Sequence, residues 1–82
     1  MKKQVAQIFV SVKAYTITEE QKQSLESLID LDDVGSVSFD IEEGSCNQGF
    51  EVAYTGPVNK GFKLLLDRCD FLGLEVDTIA VF

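Results

Sequence analysis

The chain has 82 residues, 45% apolar and 26% charged, which suits one folded domain and leaves too little chain for two cores. It contains no histidine, which excludes Ser-His-Asp and Cys-His catalysis, imidazole metal ligation and a histidine pH switch. Fourteen acidic residues against seven basic ones give a net charge of −7, a field that repels phosphate backbones and anionic lipid heads.

Residues 5–15 alternate, with Ala6, Ile8, Val10, Val12 and Ala14 on one face and Val5, Gln7, Phe9, Ser11, Lys13 and Tyr15 on the other. This predicts a strand with one core face. Thr18 reads as an N-cap, followed by Glu19 and Glu20 in a first turn and by Gln21 at the capping-box position. Leu25, Leu28 and Ile29 then recur at helical spacing, so an amphipathic helix is predicted over 19–31, stopped by Asp32-Asp33-Val34-Gly35. Residues 36–43 alternate again, with Val37, Phe39 and Ile41 inward. Gly44 to Gly49 has turn chemistry, and Phe50, Val52 and Tyr54 form the inward row of a third strand, completing a hairpin. Gly56-Pro57 opens a second helix running to about Leu72, with Gly73 as its C-terminal cap. Its apolar stripe is Val58, Phe62, Leu65, Leu66, Cys69 and Leu72, while Leu64 and Phe71 fall together on the opposite side. Residues 74–82 form a last strand, with either Val76 and Ala80 or Ile79 and Val81 inward.

The order β-α-β-β-α-β uses nearly the whole chain as a single domain, residues 1–82. It resembles the ferredoxin-like α+β sandwich, a four-stranded antiparallel sheet with two helices on one face. Right-handed crossovers place the first and third strands at the centre. The resemblance is one of element order, and no residue motif accompanies it.

Cys46 and Cys69 form no CxxC or zinc pattern and point to a reducing compartment, a single Cys46–Cys69 bridge being the alternative. Met1-Lys2-Lys3 before an apolar run has the outline of a leader peptide. Gln4, Gln7, Ser11 and Lys13 interrupt that run and no A-x-A site follows. The expected location is the cytoplasm.

Three motifs fail on inspection. Gly56 to Lys63 has the Gly-x4-Gly frame of a phosphate loop, but Phe62 and Lys63 stand where Lys and Ser/Thr are required. Asp30 to Gly35 begins like a calcium loop, yet Val34 and Ile41 occupy its fifth and twelfth positions, where oxygen ligands belong. Asp40, Glu42, Glu43 and Glu51 could pair as catalytic carboxylates only if one were sunk in an apolar pocket, and an outward hairpin face supplies none. Phe9 and Tyr15 on the helix-free face could stack bases, as in RNA-recognition domains. The basic RNP pattern is missing, and Asp40, Glu42, Glu51 and either Asp77 or Glu75 share that face.

Charge distribution is the signal that remains. Residues 1–16 hold three lysines and no acid, whereas residues 17–56 hold ten acidic residues against Lys22 alone. The expectation is a non-enzymatic acidic protein-binding module without cofactor or metal. It would act as an inhibitor or antitoxin-like protein, docking on the basic surface of a nucleic-acid-handling partner. Its contacts would be an acidic side (Glu19, Glu26, Asp30, Asp32, Asp33, Asp40, Glu42 and Glu43) and the apolar residues Phe9, Tyr15, Leu64 and Phe71. The alternative is a self-associating, dimeric regulatory module using those four apolar residues. Direct binding to nucleic acid or membrane is not expected.

Overall fold

A computed structural model describes residues 5–31 and 33–82, so Lys2, Lys3 and Asp32 lie outside the described residues. The elements are β1 (Ala6–Lys13), α1 (Glu19–Glu26) with a 3-10 turn (Ser27–Asp30), β2 (Val34–Asp40), β3 (Asn47–Tyr54), α2 (Val58–Leu72) and β4 (Val76–Val81). The strands form one antiparallel sheet in the order β2-β3-β1-β4. This is the ferredoxin-like arrangement, with β1 and β3 central. α1 and its 3-10 turn pack over β2, and α2 over β1 and β4.

Alternation sets the core. Ile8, Val10 and Val12 of β1 and Phe50, Val52 and Tyr54 of β3 meet Leu25 and Leu28 from the first helical segment and Leu65 and Cys69 from α2. In register, Ile8 lies opposite Val52 and Val10 opposite Phe50. Gly61 brings α2 against the sheet, since a Cβ there would stand 2.8 Å from Ile8 Cδ1 and 2.9 Å from the Tyr54 ring.

The Thr18 capping box is present. Thr18 Oγ1 accepts from the Gln21 N–H at 3.1 Å, and Gln21 Oε1 accepts from the Thr18 N–H at 2.9 Å. Gln21 Nε2 also donates to the Leu72 carbonyl at 3.1 Å, capping the far end of α2. Helix α1 ends at Glu26, short of the expected 31. The Ser27 hydroxyl takes the Ser24 carbonyl at 2.6 Å and the Arg68 guanidinium bonds the same oxygen at 3.1 Å, so the last turn tightens to 3-10 geometry. Arg68 also donates to Ser24 Oγ, and the cation sits where the helix dipole is negative. Arg68→Met, which keeps the stem and removes these charge-assisted bonds, is expected to cost about 1–2 kcal/mol in urea denaturation.

Several sequence expectations need correction. Asn47 to Gly49 belong to β3 rather than to the hairpin turn. Ile41 lies beyond the end of β2 and is exposed. Tyr15 lies past the end of β1, in the connection to α1, and so does not sit on the sheet's outer face. Val58 and Leu66 are exposed, because Gly61 and Leu65 mark the line along which α2 touches the sheet. In β4 neither alternative holds alone. A bulge at Asp77 places Val76 opposite Val12 and Ile79 opposite Val10, so residues of both parities face the helices.

Candidate docking surface

The acidic residues proposed as a site are carried by elements that pack together. Glu19 stands in the first turn of α1, where a carboxylate favours the helix dipole, and Glu26 stands at its end. Asp30 closes the 3-10 turn, Asp40 ends β2, and Glu42 and Glu43 lie in the hairpin loop; all six are exposed. Glu20 is exposed on α1, and Glu51 is exposed on β3, on the helix-free face of the sheet. Asp33 is half-buried, and its carbonyl accepts from the Thr55 N–H at 2.8 Å and the Thr55 hydroxyl at 3.2 Å. Those two bonds fasten the connection into β2 to the end of β3.

Lys22 is the single described cation carried by these elements, and the Arg68 guanidinium reaches the end of α1 from α2. Lys22 Nζ is 3.6 Å from Glu19 and 6.0 Å from the centre of the Phe39 ring, so it covers an apolar residue of β2 and is already engaged. Among the described residues the other carboxylates of this half form no ion pair. β1, α2, β4 and the connection between the last two hold Lys13, Lys60, Lys63 and Arg68 against Asp67, Asp70, Glu75 and Asp77. That half carries no net charge. The excess negative charge of the described residues therefore resides entirely in α1, β2, β3 and their connections.

The hairpin loop is held by Gln48, a polar residue 2% exposed at the end of the core. Its Oε1 accepts the Glu42 N–H at 2.6 Å, and its Nε2 donates to the carbonyls of Glu42 at 2.7 Å and Tyr15 at 2.9 Å. The amide ties the loop bearing Glu42 and Glu43 to the connection between β1 and α1. The Glu42 backbone is thus fixed while its carboxylate stays in water. Sequence reading missed Gln48 because its neighbours Asn47 and Gly49 imitate a turn.

The four apolar candidates do not form one patch. Phe9 is half-buried by its own sheet: its ring lies across Gly49, where a Cβ would meet Phe9 Cζ at 2.7 Å, and it packs edge-on to Phe82 with centroids 6.4 Å apart. Glu51 sits directly opposite Phe9 across the β1–β3 ladder. Leu64 is half-buried and packs against the core, so it does not share an exposed face with Phe71. Phe71 and Tyr15 are exposed, at 80% and 77%.

Both cysteines are free, Cys46 exposed and Cys69 buried. Burial pushes the Cys69 thiol from 9.0 up to about 11, so it stays protonated at neutral pH. Because the folded value is the raised one, this thiol contributes stability below about pH 9 that is lost as pH rises toward 11. Two results are expected. At pH 8 a thiol reagent modifies one equivalent in the native protein, at Cys46, and a second only on unfolding. Between pH 9 and 11, Cys69→Ala loses less stability than the parent. Among the described residues no His, Cys, Asp or Glu cluster could hold a metal ion, and no helix is long and apolar enough to cross a membrane. A shallow depression of about 270 Å³ is lined by Asp70, Gly73, Leu74 and Glu75. The chain matches no protein-family model, and no curated protein resembles it in sequence.

Proposed function

We propose that this chain is a non-catalytic, acidic protein-binding module, inhibitory or antitoxin-like, whose α1–β2 half docks on the basic surface of a nucleic-acid-handling protein. One observation carries the reading: eight described carboxylates project from α1, β2, β3 and their connections, opposed by Lys22 and by the Arg68 guanidinium that reaches the end of α1, while the remaining elements carry acids and bases in equal number. Such carboxylates, held on a helix, a sheet and a clasped loop, offer a partner's Arg and Lys side chains the anionic oxygens that phosphates otherwise supply. They also speed encounter through long-range attraction.

The test combines four charge reversals, Glu26→Lys, Asp30→Lys, Asp40→Lys and Glu42→Lys, all at exposed positions. Partners captured from lysate of the source cell are compared between parent and variant at about 50 mM and about 500 mM salt. The expected partner binds nucleic acid, is retained by the parent at low salt, is lost at high salt and is never retained by the variant. Added parent protein should displace nucleic acid from it in a mobility-shift assay. Equal retention by parent and variant would sink the proposal.

A further inference from the structure

We propose that the free edge of β4 is a self-association surface, to which a second copy of this chain adds its own β4, antiparallel and about a two-fold axis. Among the described residues the sheet has two open edges, β2 and β4. The Phe82 N–H donates to the Gln7 carbonyl at 2.8 Å, and the ladder continues through Phe9–Ala80 and Ser11–Thr78. By the alternation of antiparallel bonding, Ile79 and Val81 then direct their N–H and C=O groups outward. Past the bulge at Asp77, residues 78–82 contain no charge, proline or glycine, the usual protections of an edge strand. By contrast, β2 is broken by a bulge at Gly35, ends in Asp40 and lies under the carboxylates of α1.

Charge selects the occupant. Two copies meeting at β2 would oppose their acidic halves. At β4 they meet across the neutral half, where neither a strongly basic nor a strongly acidic partner finds a complementary field. The strand is also complementary to itself. Ile79 can pair with Val81 of the second copy and Val81 with its Ile79, each pair exchanging both N–H···O bonds. Ala80 then stands on the two-fold axis, where its small side chain suits the close approach of a non-hydrogen-bonded pair. Apolar groups flank the seam. Val81 is 41% exposed on the helix side. Arg68 faces α1, and Leu66, two residues away and so about 200° around α2, faces the β4 side and is 42% exposed. On the other side of the sheet Phe82 is exposed. An interface built on five strand residues lies near the lower limit of about 1,200 Å², so the dimer should be weak, in the micromolar range.

Sedimentation velocity on the full chain tests this, from about 5 µM to about 500 µM, with Ala80→Lys and Val81→Pro as variants. Ala80 is exposed, so its lysine leaves the fold intact and places two ammonium groups together on the axis. Proline at Val81 removes an N–H that faces away from β1. The parent should rise from 9.1 kDa toward twice that mass, and each variant should weaken dimerisation by about tenfold or more with unchanged circular dichroism. Added salt should strengthen the dimer, because each copy carries −7. A parent that stays at 9.1 kDa throughout overturns the proposal. So does a dimer that both variants leave intact, or one that salt dissolves.

Discussion

Gln48→Leu is expected to lower stability by about 3 kcal/mol, or roughly 15 °C in the melting temperature of a domain this size. The substitution keeps the volume but removes the acceptor of the Glu42 N–H and the donor shared by the Glu42 and Tyr15 carbonyls. Three backbone groups lose a partner at once beside a dry core, where an unmet group costs about 1–3 kcal/mol before water reaches it. Gln48→Glu should be worse at neutral pH, since a carboxylate would face two carbonyl oxygens at the distances now held by an amide donor. That carboxyl would have its folded pKa raised, so the deficit relative to the parent should shrink as pH falls toward 4. Thermal melts of the three proteins between pH 4 and 7 measure both effects. A Gln48→Leu protein as stable as the parent would mean that the loop does not depend on the clasp. The consequence would reach the proposed docking surface, because Glu42 and Glu43 are positioned through that loop.

Gly61→Val should cost at least about 3 kcal/mol, and Gly61→Ala about 1 kcal/mol, against the direction of helix propensity. Alanine in a helix interior normally gains up to about 1 kcal/mol over glycine. Here its Cβ would stand 2.8 Å from Ile8 Cδ1 and 2.9 Å from the Tyr54 ring, both belonging to buried core residues. α2 would have to lift from the sheet or displace side chains that have no free volume to enter. Valine adds two methyl groups to the same contact and a β-branch that helices disfavour. Urea denaturation of the two variants decides the matter. A stabilised Gly61→Ala would show that the helix-to-sheet distance is not limiting.

The two proposed surfaces lie toward opposite edges of the sheet, β2 and β4, and respond oppositely to salt. A basic partner on the α1–β2 half should be released as ionic strength rises, whereas pairing through β4 should be strengthened. The two are therefore separable in one titration.

Much of this protein was settled by local physics that a sequence displays. The period-2 rows of Ile8, Val10 and Val12 and of Phe50, Val52 and Tyr54 could bury only as strands, and the Thr18–Gln21 box and Gly73 fixed helix ends through their own backbone bonds. Element order and the right-handed crossover rule then placed β1 and β3 in the centre. The uneven charge was equally plain, because carboxylates on α1 and the hairpin have nowhere to go but water. What the tertiary structure decided were contacts between residues distant in the chain. Arg68 shortened α1 by taking a carbonyl 44 residues away. The Asp77 bulge turned two competing strand parities into one mixed row. Gly61 shifted the buried line of α2 and left Leu66 exposed, while Phe9 was partly covered by Gly49 and Phe82. Gln48, embedded in apparent turn chemistry, became a buried clasp only when the β1–α1 connection, with Tyr15 33 residues away, arrived beside its own hairpin loop. Periodicity records which face a residue turns to its own element, and it carries no information about what the rest of the fold brings there.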